Sequence, residues 1–208
     1  MSQPARTVVG IDVGGTRKGF HAVALRDNTF ERTSDPDPAV IVEWCLTQNA
    51  TVVAVDAPCV WSREGSSRKA ERDLRLFGEK LHCFATPRRE RAKTNKKGFY
   101  GWVFNGERLY QQLQKHYPLF IGQRDYKAVC IETFPHAVTC ALARQVVSAK
   151  HKAKVRREVL QSCGYDVGNL PNIDYVDAAL CALAADAFHN NIFQYFGDSE
   201  EGFIIVPE

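Results

Sequence analysis

Three apolar runs in this sequence stop on a carboxylate: Val8-Val9-Gly10-Ile11 on Asp12, Val52-Val53-Ala54-Val55 on Asp56, and Ala128-Val129-Cys130-Ile131 on Glu132. Asp174 and Asp177 open a further apolar stretch of helical character. Strand ends lie at one edge of a sheet, so these carboxylates can converge with a pair on a packed helix. They would repel one another unless a cation neutralised them, and clustered hard oxygen ligands suit a divalent metal ion. The pattern predicts a divalent-metal site.

Each carboxylate also has a plainer use. Asp12 can accept backbone amides of the Gly14-Gly15 turn that follows it, and Asp56 can do the same before Pro58. Glu132 can cap a helix starting at Pro135, and Asp174 suits the positive end of its own helix. Asp177 is harder to explain in that way. It shares a helix face with Asp174, three residues earlier, and like charges at that spacing are mildly destabilising without a cation between them. The segment that follows, Ala178-Ala179-Leu180-Cys181-Ala182-Leu183-Ala184-Ala185, is small and apolar, so its helix can pack closely on a sheet with its first turn at the strand ends.

The elements that must carry these residues are legible from periodicity. Thr7 to Asp12, Gly19 to Leu25 and Asn28 to Thr33 read as an antiparallel meander joined by the Gly14-Gly15 turn and the tight Arg26-Asp27-Asn28 turn. A helix from Asp37-Pro38 to about Asn49 precedes a strand from Thr51 to Asp56, which is expected to run parallel to an earlier one. Residues 61–124 read as an insertion: a helix capped at Ser66-Ser67 and carrying Ala70, Leu74, Phe77 and Leu81, a basic loop from Pro87 to Gly98, and a helix from Val103 to Tyr117. The sheet resumes at Tyr126 to Glu132. Helices then follow over Pro135 to Val147, Lys152 to Cys163 and Ile173 to His189, and Gly202 to Pro207 closes the chain as an edge strand ending in proline. With no repeats and no long linker, residues 1–208 are expected to form a single domain of α/β class.

Charge is unevenly distributed. Between Trp61 and Lys97 twelve Lys or Arg face five acids, a local +7 in a chain whose net charge is +3, so the remainder is net negative. A basic rim beside an acidic site suits a phosphate-rich partner, which points to nucleic acid, either DNA or RNA. The candidate phosphate contacts are Arg68, Arg72, Arg88, Arg89, Lys93 and Lys96, with Lys154 and Arg157 from a second basic group; Phe99, Tyr100 and Trp102 are available to stack bases. A solvated helix and loop with its aromatics in the core is the competing reading. The six histidines show no i,i+4 pairing and are expected to be structural or surface groups.

Composition excludes several other classes. At 45% hydrophobic and 25% charged residues the chain resembles an ordinary globular protein, and no apolar segment approaches bilayer length. The start lacks the apolar region of a secretory signal, so a cytoplasmic location is expected. Seven irregularly spaced cysteines without a C-x-x-C pair read as core thiols. The H-E-x-x-H, G-x-S-x-G and G-x-x-x-x-G-K motifs are missing.

Taken together, the order of these segments resembles an uncharacterised, mainly bacterial family, the domain of unknown function 429, described as predicted nucleases of the ribonuclease-H fold. The matching segments are Gly10-Ile11-Asp12, Val55-Asp56-Ala57-Pro58, the Arg68 to Arg75 stretch, Ile131-Glu132-Thr133-Phe134-Pro135, Arg156-Arg157 with Leu160, Asp174-x-x-Asp177-Ala178-Ala179 and the ending Glu201-Gly202-Phe203-Ile204-x-Val206-Pro207. The resemblance implies a mixed sheet of three antiparallel strands followed by parallel ones, flanked by helices. It also implies a nuclease site in which Asp12, Asp56, Asp174 and Asp177 hold two magnesium or manganese ions, with Glu132 one strand further across as a fifth catalytic carboxylate. Two other functions compete. Gly10 to Thr16 also resembles the first phosphate motif of sugar kinases in the actin-like superfamily, although no second Gly-Gly pair exists. The third is a binding module of the same fold that docks nucleic acid without chemistry.

Overall fold

The computed structural model describes residues 6–95, 98–123 and 125–208. Among the described residues, nine strands and seven helices follow in the order β1 (Thr7–Val13), β2 (Phe20–Arg26), β3 (Thr29–Asp35), α1 (Pro38–Thr47), β4 (Ala50–Asp56), α2 (Lys69–Asp73), β5 (Arg75–Leu76), β6 (Glu79–Lys80), α3 (Arg89–Lys93), α4 (Gly101–Leu113), β7 (Val129–Thr133), α5 (Pro135–Leu142), α6 (Lys152–Ser162), α7 (Ile173–His189), β8 (Phe193–Asp198) and β9 (Gly202–Pro207). Seven strands form one sheet in the order β3-β2-β1-β4-β7-β9-β8. The first three are antiparallel, β1, β4, β7 and β9 are parallel, and β8 returns antiparallel at the edge. This is the ribonuclease-H-like mixed sheet. No helix among the described residues is long and apolar enough to cross a membrane.

The period-two alternation of strand side chains sorts the core into two layers. Val8, Val52, Ala54, Val129 and Ile131 pack with α7, whereas Val9, Ile11, Val53, Val55 and Cys130 pack with α1 and α4. Helix α7 lies so close to β1 that a Cβ on Gly10 would sit 2.1 Å from both the Ala178 oxygen and the Ala182 nitrogen. Only glycine on the strand and alanines on the helix allow that approach, and it brings the start of α7 to the ends of β1 and β4.

Three expectations are corrected. The helix expected from Ser66 through Leu81 stops at Asp73, because Phe77 (φ 52°) and Gly78 (φ 80°) make a two-residue turn between β5 and β6. Leu74, Leu76 and Leu81 still bury together, while Phe77 is exposed. The Pro87 to Gly98 loop contains the short helix α3. Finally, β9 is not the edge: it lies between β7 and β8, a strand that periodicity did not signal, and Pro207 pairs with Phe193.

Candidate metal and nucleic-acid site

Asp12 and Asp56 are direct neighbours in the parallel register of β1 and β4. Both follow the alternation of the α7-facing side, so their carboxylates meet the first turn of α7. Asn172 fixes that turn by accepting hydrogen bonds from the Asp174 and Tyr175 amides at 3.0 and 3.1 Å. Asp12, Asp174 and Asp177 are 8, 9 and 4% exposed, and Asp56 is partly buried. On the opposite side of the strands, Asn105 of α4 donates to the Gly14 carbonyl and steadies the β1–β2 loop.

The protein supplies cations to only part of this cluster. Lys18 reaches Asp174 at 2.5 Å, and Asp177 pairs with the buried Arg156, with Lys152 at 3.7 Å. Asp12 and Asp56 have no ion pair among the described residues. Burial, reinforced by the Asp177 and Asp174 charges, pushes the Asp12 carboxyl up to about 7. Burial and the Asp12 charge push Asp56 well above the ordinary carboxylate range. Burial also raises Asp177, although Arg156 opposes it. A cluster with this much unrelieved negative charge favours a further cation.

His21, expected with the other histidines to be a structural or surface group, belongs to the same cluster. It is the antiparallel register partner of Asp12 on β2. Its ring stands edge-on to Tyr175, 4.7 Å between centroids, and its Nδ1 is buried with no hydrogen-bond partner among the described residues. Burial lowers its pKa below the usual imidazole value, which keeps the ring neutral. One ligand atom each from Asp12, His21 and Asp174 lie within 4.8 Å of one another. The signal available in the sequence was weak: His21 sits where an antiparallel meander must place a residue opposite Asp12, but that register is invisible without the turn geometry.

Glu132 is not brought to this cluster. In the β4–β7 register it lies beside Val55, not Asp56, so it follows the alternation of the opposite face. There Arg68 holds it in a two-pronged ion pair at 2.7 and 2.5 Å, and the Cys59 amide donates to the same carboxylate at 2.8 Å. Arg68 also pairs with Glu71 at 2.9 Å, and Glu71 in turn accepts from the Thr86 amide. Glu132 and Arg68 therefore hold each other in a paired network on the face away from Asp12 and Asp174, with Arg68 1% exposed and both residues lining a cavity beside Phe84 and Trp102.

The other basic candidates divide similarly. Arg89 is bound two-pronged to Glu107, and Arg157 donates to the Val167 and Leu170 carbonyls, so both act in holding α3 and the loop before α7. Arg72 is exposed and approaches Glu201 only at 3.9 Å. Arg88, Arg91 and Lys93 are exposed around α3, and Lys154 is exposed beside Glu158. Lys96 lies outside the described residues. Phe84 gathers Phe99, Tyr100 and Trp102 within 4.9–5.7 Å, and Phe99 remains 59% exposed.

A seven-stranded mixed sheet with carboxylates at the ends of its first and fourth strands, facing the start of the helix packed across it, defines an α/β protein of the ribonuclease-H-like class. The chain belongs to the family described as "Protein of unknown function (DUF429)", whose profile matches residues 10–201. No curated protein matches it. Among solved structures, the Thermus thermophilus RuvC structure is similar at 16% identity, covering 89% of this chain and 95% of that one, with a TM-score of 0.42. The T. thermophilus RuvC in complex with Holliday junction substrate is similar to the same degree, with 94% of that chain covered.

Proposed function

We propose that this protein is a divalent-metal-dependent nuclease that hydrolyses phosphodiester bonds at the Asp12–Asp56–Asp174 corner of the sheet. The observation that carries this reading is the pair Asp12 and Asp56, adjacent on the α7 side of the sheet, the first buried and the second partly so, and without an ion pair of their own among the described residues, beside an Asp174 whose only ion-pair partner among the described residues is a half-exposed lysine. The donor chemistry fits magnesium or manganese: carboxylate oxygens in a partly open corner, able to leave several positions to water. Asp12, Asp56 and Asp174 would hold the metal, while Asp177 stays with Arg156 and keeps the first turn of α7 in place. When bound, divalent ions supply an activated water and charge stabilisation for the leaving oxygen. Lys18, at the mouth of the cluster, can meet a backbone phosphate, and Arg88, Arg91 and Lys93 offer the exposed positive surface of the 61–124 segment.

The test is cleavage of a labelled panel of single strands, duplexes, RNA–DNA hybrid and four-way junction with Mg2+ or Mn2+. The wild type is expected to cut at least one substrate and Asp12→Asn and Asp56→Asn none. If the wild type binds the panel but cuts nothing with either ion, the catalytic reading fails and a non-catalytic nucleic-acid module takes its place.

A further inference from the structure

We propose that His21 is a nitrogen ligand in a mixed Asp12–His21–Asp174 centre that takes a first-row transition-metal dication such as Mn2+, Co2+ or Zn2+ in preference to Mg2+. The proposal rests on the metal-dependent reading above and deepens it by assigning the ion class.

Three observations support it, the first two of them independent of the acid cluster. His21 is nine-tenths buried, yet Nδ1 has no partner among the described residues, and a buried polar nitrogen left unpaired is costly unless something occupies it. The ring is held by its contact with Tyr175, which fixes its plane without satisfying that nitrogen. Its strand register sets it directly opposite Asp12, with ligand atoms of His21, Asp12 and Asp174 converging within 4.8 Å, a span compatible with a single ion. Imidazole selects borderline metals, whereas Mg2+ demands oxygen ligands and sheds water reluctantly, so one nitrogen in the set shifts preference towards the transition series. Lys18 is the internal competitor. Its side chain is 53% exposed, so its ammonium can leave Asp174 for solvent when a dication binds.

The test reads metal binding directly. Co2+ titrated into apoprotein is followed by visible absorption and equilibrium dialysis, and Mg2+ by calorimetry, in wild type, His21→Phe, Asp12→Asn and Lys18→Met. Phenylalanine preserves the ring contact with Tyr175 and removes only the nitrogens. The expected result is a weakening of Co2+ binding by about tenfold or more in His21→Phe, with a much smaller change for Mg2+, and a tightening of both in Lys18→Met. Should His21→Phe not fold, the His21 ring-nitrogen resonances of the wild type decide the matter: Zn2+ is expected to move them and Mg2+ is not. If Asp12→Asn abolishes Co2+ binding while His21→Phe leaves it unchanged, or if Zn2+ leaves the ring resonances in place, the histidine assignment is overturned and the carboxylate nuclease site stands. If neither wild type nor Lys18→Met binds any dication, both readings fall.

Discussion

Two groups of buried carboxylates sit at strand ends on opposite faces of one sheet, and the protein treats them in opposite ways. Glu132 meets a guanidinium buried with it and a backbone amide, so each oxygen has a partner. Asp12 and Asp56 meet each other, and the cations nearby are committed to Asp174 and Asp177. A buried charge that is fully paired serves the fold, because removing either partner strands the other. A buried charge left short of cations costs stability in the free protein and is retained where a ligand will relieve it. The difference separates a structural network from a functional one more reliably than burial alone, since Glu132 and Asp12 are both nearly hidden from water.

The comparison can be broken most decisively on the closed side. Glu132→Ala leaves Arg68 buried without its main partner and is expected to cost about 3–5 kcal/mol, read by urea unfolding. Replacing both partners, as in Arg68→Met with Glu132→Leu, is expected to recover most of that loss; failure to recover would mean that the network does more than hold the fold. On the open side, Asp12→Asn is expected to act in the opposite sense. It stabilises the apoprotein at pH 8 by about 1–3 kcal/mol because it removes a charge that the fold disfavours, and it abolishes the rise in melting temperature that Mn2+ gives the wild type.

The pH dependence sharpens the same contrast at smaller amplitude. The Asp12 carboxyl, near 3.8 when unfolded, is raised to about 7 in the fold. The folded state therefore holds the proton more tightly, and the associated stability is present below about pH 4 and lost as pH rises to about 7. The melting temperature of the apoprotein is expected to fall across that window relative to Asp12→Asn, and saturating Mn2+ is expected to flatten the difference. A wild-type profile parallel to that of the variant would contradict an open cluster. The smallest expected effect is at the surface: replacing Arg88, Arg91 and Lys93 together by serine should leave stability within about 0.5 kcal/mol and reduce the salt dependence of nucleic-acid binding.

Much of the fold was legible because periodicity reports burial locally. The meander, β4 and the α7 boundaries follow from alternation, small-residue spacing and turn residues that act within a few positions of themselves. Features that depend on distant partners were not. A helix expected through Leu81 became a hairpin because Leu76 of β5, with Leu74 and Leu81 flanking the two strands, buries just as well once Phe77-Gly78 turns, and β8 is defined by its pairing with β9, not by a pattern of its own.

The same division holds at the site. Sequence alone determined that carboxylates end three strands, at Asp12, Asp56 and Glu132, and open the last long helix, because those positions are set by where apolar runs stop. Only the tertiary structure decided which of them share a corner. A one-residue difference in register sends Glu132 to the opposite face from Asp56, and the close approach of Gly10 to α7 brings Asp174 to Asp12. His21 joined the cluster because a strand residue's neighbours are chosen by pairing across the sheet, and Arg68 is buried because it meets Glu132 of β7 from 64 residues away; both are long-range properties of the chain.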